Sequence, residues 1–352
     1  MNNPSKPILV TGGSGYIASW VVKYLLEDGY TVHTTVRDIS KKDKYSHLEK
    51  IAEVSSGTLK IFEADLMKKG SFLESMQGCE VVIHMASPFF VVGIKDAQKD
   101  LIEPAKDGTA NVLNSVNETD SVRRVVLTSS CAAIYGDNSD ISQTKNKVFT
   151  EEYWNRTSSL DHSPYSYSKT VAEEEAWKIA NAQSRWELLT INPAFVLGPS
   201  LTKRTDSTSI SMMIQLGNGT FALGVPELWF GVVDVRDVAK SHILAALTPT
   251  AKGRHIACSE SMPLIEIASA LREKFGDHYP FPKWNVPYFM VWLFGPILGF
   301  SHSYVEKNIG IPIRYDNSYT QKDLRIQFRS AKETVCDHFE QLLNDGIIAK
   351  RG

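Results

Sequence analysis

Short apolar runs rich in β-branched residues alternate with stretches of helical periodicity through the first half of the chain. Residues 8–11, 31–36, 59–62, 81–85 and 125–128 read as strands, and 188–192 as a sixth. Val81-Val-Ile83 and Val125-Val-Leu127 are apolar without alternation, the pattern of strands buried on both faces. Ile17, Val21, Val22, Leu25 and Leu26 form a helical stripe that stops at Gly29, and further helical patterns fall near 71–77 and 97–116. Connections of a dozen or more residues between strands mean βαβ units with right-handed crossovers. The expected fold class is α/β, a doubly wound parallel sheet of the Rossmann type with a smaller, mostly helical C-terminal region.

After residue 193 the pattern loosens. Gly198-Pro199, Gly217-Asn-Gly219 and Gly224 have the composition of loops around a site, and 238–247, 264–275 and 331–343 are amphipathic helices. The reading is a sheet domain over 1–193 and a substrate-binding region over 194–352, with about 233–260 returning to the sheet. The segment 287–300 is the most apolar, but it has 14 residues broken by Gly295-Pro296 and Gly299. A spanning helix needs about 20, so no transmembrane segment is expected. The expectation for 287–300 is core or lid, with an interfacial membrane contact as the other reading.

With 352 residues and a net charge of −2, the chain lacks the basic excess that a nucleic-acid surface requires. Cys79, Cys131, Cys258 and Cys336 form no CxxC pair, so neither a zinc site nor a dithiol site is expected. A reducing, cytoplasmic setting fits that usage. The polar N-terminus carries no visible leader.

Thr11-Gly-Gly-Ser-Gly-Tyr-Ile-Ala18 follows the first strand and opens the first helix, and its spacing Gly13-x-Gly15-x-x-Ala18 fits the dinucleotide fingerprint. Glycines let a pyrophosphate approach the backbone, where helix N–H groups meet it. The second strand ends in Thr34-Thr-Val-Arg37 with Lys41, Lys42 and Lys44 beyond. A guanidinium pairs bidentately with a 2′-phosphate, which favours NADP over NAD, although Asp38 offers a carboxylate for the ribose. Asp65-Leu66 ends the third strand, where a carboxylate can accept from an adenine amine or simply cap a surface helix.

Tyr165-Ser-Tyr-Ser-Lys169 places a phenol and an ammonium four residues apart, on one helical face. Lowering the phenol pKa by ~3 units takes about 4 kcal/mol of differential interaction, to which the ammonium and a cationic nicotinamide contribute. Thr128-Ser-Ser-Cys131 ends a strand, where open α/β sheets bind ligands, so Ser130 is a candidate donor to a substrate carbonyl. Spacing alone does not separate it from Ser129.

The chain resembles the extended short-chain dehydrogenase/reductases, in their dihydroflavonol 4-reductase-like branch. The resemblance rests on the cradle, Thr35-Val-Arg37, Ala64-Asp-Leu66, His84-Met-Ala-Ser-Pro88, Arg124-Val-Val-Leu-Thr-Ser-Ser130, Tyr165–Lys169, Ile191-Asn-Pro193 with Gly198-Pro199, and Val233-Asp-Val-Arg-Asp-Val238. It covers roughly residues 7–260. It implies NADPH-dependent reduction of an aldehyde or ketone to an alcohol. Ser130 would polarise the carbonyl, Tyr165 would give the proton, and Lys169 would lower its pKa and hold the nicotinamide ribose. Thr11 opens the cradle, and Gly12, Gly15, Tyr16 and Ile17 would contact the pyrophosphate. Arg37 and Lys44 would take the 2′-phosphate, with Asp65 and Leu66 flanking adenine. Ala86 and Ser87 would line the cofactor channel, and Pro193 and Val196 would abut the nicotinamide amide.

Departures bear on the substrate. Tyr135 stands where dihydroflavonol reductases carry Asn, and the Asn-Trp-Tyr-Cys-Tyr signature of cinnamoyl-CoA reductases is missing. Neither a flavonoid nor a CoA thioester is therefore expected. Phe89, Phe90 and Tyr135 are candidate walls for a small-molecule carbonyl substrate, and Phe281, Trp284, Tyr288, Phe289 and Trp292 form an aromatic stripe expected to be core. The expected assembly is a monomer or a homodimer. The other readings are a 3β-hydroxysteroid dehydrogenase-like or nucleotide-sugar epimerase-like oxidoreductase, or a nucleotide-sensing regulator that keeps the fold without the chemistry. Dehydratases set carboxylates near the serine position, and Ser129-Ser-Cys131 supplies none. The histidines, His84 and His162 included, form no recognisable metal set.

Overall fold

The computed structural model describes residues 6–87 and 96–351. Its strands are β1 (Ile8–Thr11), β2 (Thr31–Val36), β3 (Thr58–Glu63), β4 (Val81–His84), β5 (Arg124–Thr128), β6 (Glu187–Pro193), β7 (Phe195–Leu197), β8 (Trp229–Asp234), β9 (Gly253–Ala257) and β10 (Glu260–Pro263). The helices are α1 (Tyr16–Glu27), α2 (Ser46–Val54), α3 (Leu73–Met76), α4 (Glu103–Asn117), α5 (Pro164–Asn181) and α6 (Thr208–Asn218), followed by α7 (Val235–Leu247), α8 (Leu264–Phe275), α9 (Tyr288–Phe294), α10 (His302–Asn308), α11 (Ser318–Leu324) and α12 (Ala331–Asn344).

Seven strands pair in parallel in the order β3-β2-β1-β4-β5-β6-β9. Neighbouring residues on a strand face opposite layers, which explains the unbroken apolar runs. Ile8, Val10, Val81 and Ile83 join α1 and α7 in one core, whereas Leu9 and Val82 join α3, α4 and α5 in the other. The chain changes direction between β1 and β4, and the crevice at such a switch point, outside the carboxyl ends of the strands, is where open α/β sheets take ligands.

The C-terminal region contains an element the sequence pattern did not suggest, a three-stranded sheet in the order β10-β8-β7. It packs with α6, α8 and α12 around Leu216, Ile267, Leu271 and Phe339. The aromatic stripe departs from expectation as well. Phe281 is buried, but Trp284, Tyr288, Phe289 and Trp292 are exposed.

Candidate active site

The glycine cradle is held by sterics and by hydroxyls. Gly12 adopts φ +67°, and a Cβ there would lie 3.0 Å from the Ala86 Cα. A Cβ on Gly13 would lie 2.0 Å from Thr34 Oγ1, so no side chain fits. Thr35 Oγ1 accepts from the Gly12 N–H at 3.0 Å. Thr11 is buried, and its Oγ1 accepts from the N–H groups of Met85 and Ala86, each at 3.0 Å. It thereby fastens the exit of β4 onto β1. His84 Nδ1 meets the same hydroxyl at 2.8 Å, and burial, with the Lys169 charge, pushes the imidazole down to about 3. Gly15 precedes α1, whose N-terminus has no side-chain cap and no acid in its first turn. These unmatched N–H groups and their partial positive charge suit a pyrophosphate. Ile17 is half-buried against the adjoining core. The Tyr16 hydroxyl is engaged elsewhere, donating to the Gly198 carbonyl at 2.5 Å.

At the end of β2, Arg37 and Lys44 are exposed. The Asp38 carboxylate accepts from Ser40 N at 3.0 Å and Ser40 Oγ at 2.6 Å and lies 3.4 Å from Lys41 Nζ. Those hydrogen bonds hold it below the usual carboxylate range and occupy the one acid that would have served NAD. Asp65 Oδ1 accepts from Met67 N at 2.8 Å, capping a turn and not the helix cap the sequence offered, and Leu66 packs on Gly108 of α4.

Tyr165 lies in the first turn of α5, where Pro164 supplies a preset φ at the first helical position. Ser163 ahead of it has a left-handed backbone, φ 54°. The Lys169 ammonium sits 5.6 Å from the centre of the Tyr165 ring and donates to Ser87 Oγ at 2.9 Å. Burial pushes the phenol up to about 12 and the ammonium down to about 8. In this structure, then, desolvation outweighs the lowering of the phenol pKa expected from Lys169. One cavity is lined by Leu66, His84, Ala86, Ser87, Ser129, Lys169 and Glu173.

The two serines have different partners. Ser129 is buried and its hydroxyl donates to Glu173. Ser130 is half-buried, and its Oγ accepts from Ala132 N at 3.1 Å. Asn192 Nδ2 donates to the Ser130 carbonyl at 3.1 Å and to Glu173 Oε2 at 2.8 Å, while Arg254 Nε donates to Glu173 Oε1 at 2.6 Å. This buried ion pair was missed in the sequence. For Glu173 the available signal was its spacing from Tyr165 and Lys169, which stacks all three on one helix face; nothing pointed to Arg254.

Above the strand ends, Tyr135 stacks on Phe149 with ring centres 4.4 Å apart. Tyr315 donates its hydroxyl to that of Tyr135 at 2.8 Å. Pro193 is buried and Val196 half-buried beside it. Phe89 and Phe90 lie outside the described residues. All four cysteines are buried and unbridged, and no cluster of metal ligands occurs among the described residues. Nor is any helix among them long and apolar enough to cross a membrane.

Residues 8–258 match the NAD dependent epimerase/dehydratase family. The chain is 41% identical to a cinnamoyl-CoA reductase of Medicago truncatula over 78% of this chain and 82% of that one. It is 38% identical to an anthocyanidin reductase of Arabidopsis thaliana over 80% and 82%. Among solved structures, Gre2 of Candida albicans in complex with NADPH superposes with a TM-score of 0.77 at 29% identity, over 97% of this chain and 99% of that one. The yeast methylglyoxal/isovaleraldehyde reductase Gre2, also complexed with NADPH, gives 0.75 at 28% over 96% and 98%.

Proposed function

We propose that this chain, which belongs to the NAD dependent epimerase/dehydratase family, is an NADPH-dependent reductase that converts an aldehyde or ketone to an alcohol. The observation that carries the reading is the Lys169 ammonium held over the Tyr165 ring, on a helix beside the Ser130 strand end. NADPH fits the uncapped α1 N-terminus for its pyrophosphate and Arg37 with Lys44 for its 2′-phosphate. When bound, it supplies the hydride. The protein does the rest.

Ser130 donates to the substrate carbonyl, since an oxygen that already accepts a backbone N–H keeps its own proton to give. Tyr165 delivers the proton to the developing alkoxide. Burial favours the neutral phenol, the form a proton donor needs at neutral pH. Lys169, fixed by Ser87, places positive charge beside that phenol. Thr11 keeps Ala86 and Ser87 at the mouth of the channel. Tyr135, half-buried and following the β5 strand end, would favour a carbonyl compound with an apolar body, and four buried thiols suit the cytoplasm.

The test is consumption of NADPH by the purified chain on a panel of small aldehydes and ketones. Tyr165→Phe should lower kcat by about 10²–10⁴-fold while NADPH binding persists. A folded, NADPH-loaded variant with undiminished turnover would remove Tyr165 from the chemistry.

A further inference from the structure

No Asp, Glu, Lys or Arg lies between Lys283 and Glu306. There α9 and α10 build a small core with Val291, Val305 and Ile309, against which Leu228, Val286 and Phe300 pack. On α9 only Val291 turns inward. Trp284, four residues ahead of the helix, and Tyr288, Phe289, Trp292, Leu293 and Phe294 on it are all exposed, Phe289 by 67% and Leu293 by 55%. A surface helix normally hides its apolar residues in one stripe. Here they radiate around the helix, a contiguous apolar surface of the kind that marks an interaction site.

We propose that α9 is a membrane-docking knob that seats in the interface of a lipid bilayer. Three properties select lipid. Both indole N–H groups are satisfied within the chain, Trp284 by the Leu223 carbonyl and Trp292 by Glu306, each at 3.1 Å. The rings therefore leave water without stranding a donor. The two lysines at the margin are paired, Lys283 with Asp277 at 2.9 Å and Lys307 with Asp137 at 3.6 Å, and Glu306 adds a carboxylate that makes no ion pair among the described residues, so anionic lipid gains nothing and the docking takes a zwitterionic surface. Finally, the exposed patch is Trp284, the two-turn helix and Ile297 just after it, whereas a stable dimer uses about 20–30 residues a side. With seven residues α9 lies in the interface and does not span it. Asn308 at the end of α10 accepts from Asn138 N at 3.0 Å and donates to Asp137 at 2.8 Å. The docked face is thereby tied to the segment that carries Tyr135. The proposal stands whether or not the carbonyl-reductase reading does.

The full chain should float with phosphatidylcholine vesicles, in high salt as in low. Its tryptophan emission should shift to the blue and be quenched by brominated acyl chains. Phe289→Ser combined with Leu293→Ser should lower partitioning at least about ten-fold, since both side chains are exposed and each would bury its apolar area in lipid. NADPH binding by the double variant reports that it is folded. A wild-type chain that stays with the buffer overturns the proposal, as does a folded double variant that floats equally well. So does light scattering that shows a wild-type dimer dissociated by the two substitutions while vesicles are ignored.

Discussion

Beneath the strand ends, Glu173 accepts hydrogen bonds from Ser129, Asn192 and Arg254, and Arg254 also donates to the carbonyls of Glu151 at 2.7 Å and Tyr153 at 2.5 Å. Above them, Tyr135, Phe149 and Tyr315 meet ring against ring, with one hydrogen bond between two hydroxyls. A buried donor or acceptor left unpaired costs about 1–3 kcal/mol, so the floor tolerates essentially one arrangement. Ring contacts in such a roof prefer offset or edge-to-face geometry but leave no buried charge to satisfy, so the loss of one polar atom here costs less than in the network below. On the proposed function, the contrast would leave the geometry of the chemistry to the polar network and the choice of substrate to the side of the aromatic cluster that carries Tyr135.

Acid should separate the two regions most strongly. His84, His242 and His338 are buried, and desolvation holds them near 3, 4 and 3. Each is bonded where the sheet or the seam beside it is fixed: His84 to Thr11, His242 to Thr128, and His338 to the Gly198 N–H. An unfolded histidine takes its proton near pH 6.5, so below that value the unfolded chain binds more protons than the folded one. Stability should therefore fall as pH drops from about 6.5 toward 4, with a slope approaching about 1.4 kcal/mol per pH unit for each histidine. Burial raises both roof phenols, Tyr135 and Tyr315, which stay neutral throughout. Urea titrations across that range measure the slope, and a flat profile would mean that the floor histidines are not neutral.

Breaking the floor's ion pair comes next. Glu173→Ala leaves the Arg254 guanidinium buried and uncompensated, at a cost of about 3–5 kcal/mol in urea unfolding. Pairing Glu173→Leu with Arg254→Met removes both charges and should recover only part of that loss, because Ser129, Asn192 and the carbonyls of Glu151 and Tyr153 lose their partners. If the double variant is no better than the single, the pair is not the unit that holds α5 on the sheet.

The adjacent serines then sharpen the assignment. Ser130→Ala should lower kcat about 10²-fold with stability little changed, the loss expected for one donor to a developing oxyanion. Ser129→Ala should do the reverse, leaving kcat near its starting value while Glu173 loses a partner at about 1–3 kcal/mol. An exchange of these outcomes would place the carbonyl donor at Ser129.

Much of this division was legible in the sequence. Unbroken runs such as Val81-Val-Ile83 announce strands covered on both faces, and the cradle and Tyr165–Lys169 spacing depend on local geometry that a short window contains. Contacts between distant residues were not legible. Glu173 and Arg254 are 81 positions apart, and a charged residue in a sequence gives no sign that a partner will be folded against it. The three-stranded sheet escaped for a related reason. β7 has only three residues, and β8 is interrupted by Gly231, so neither shows a period. For 284–294 the composition was read correctly as apolar, but composition does not say which side of a helix finds a neighbour.

The smallest effect belongs to the roof. Tyr315→Phe keeps the ring that packs 5.9 Å from Phe149 and removes only the hydroxyl that donates to Tyr135. Tyr135 is half-buried and regains part of that interaction by turning its own O–H, so the stability loss should be about 0.5–1.5 kcal/mol. Because the stack on Phe149 persists, Tyr165, Lys169 and Ser130 stay in place, and kcat should hardly move. What should change is discrimination, since a redirected Tyr135 hydroxyl alters which carbonyl compounds find a partner in the cleft. The expected readout is a KM that shifts by a few-fold, in opposite directions for substrates with and without a second polar group, at constant kcat. A fall in kcat comparable to that of Ser130→Ala would show that the roof also sets the geometry of the chemistry.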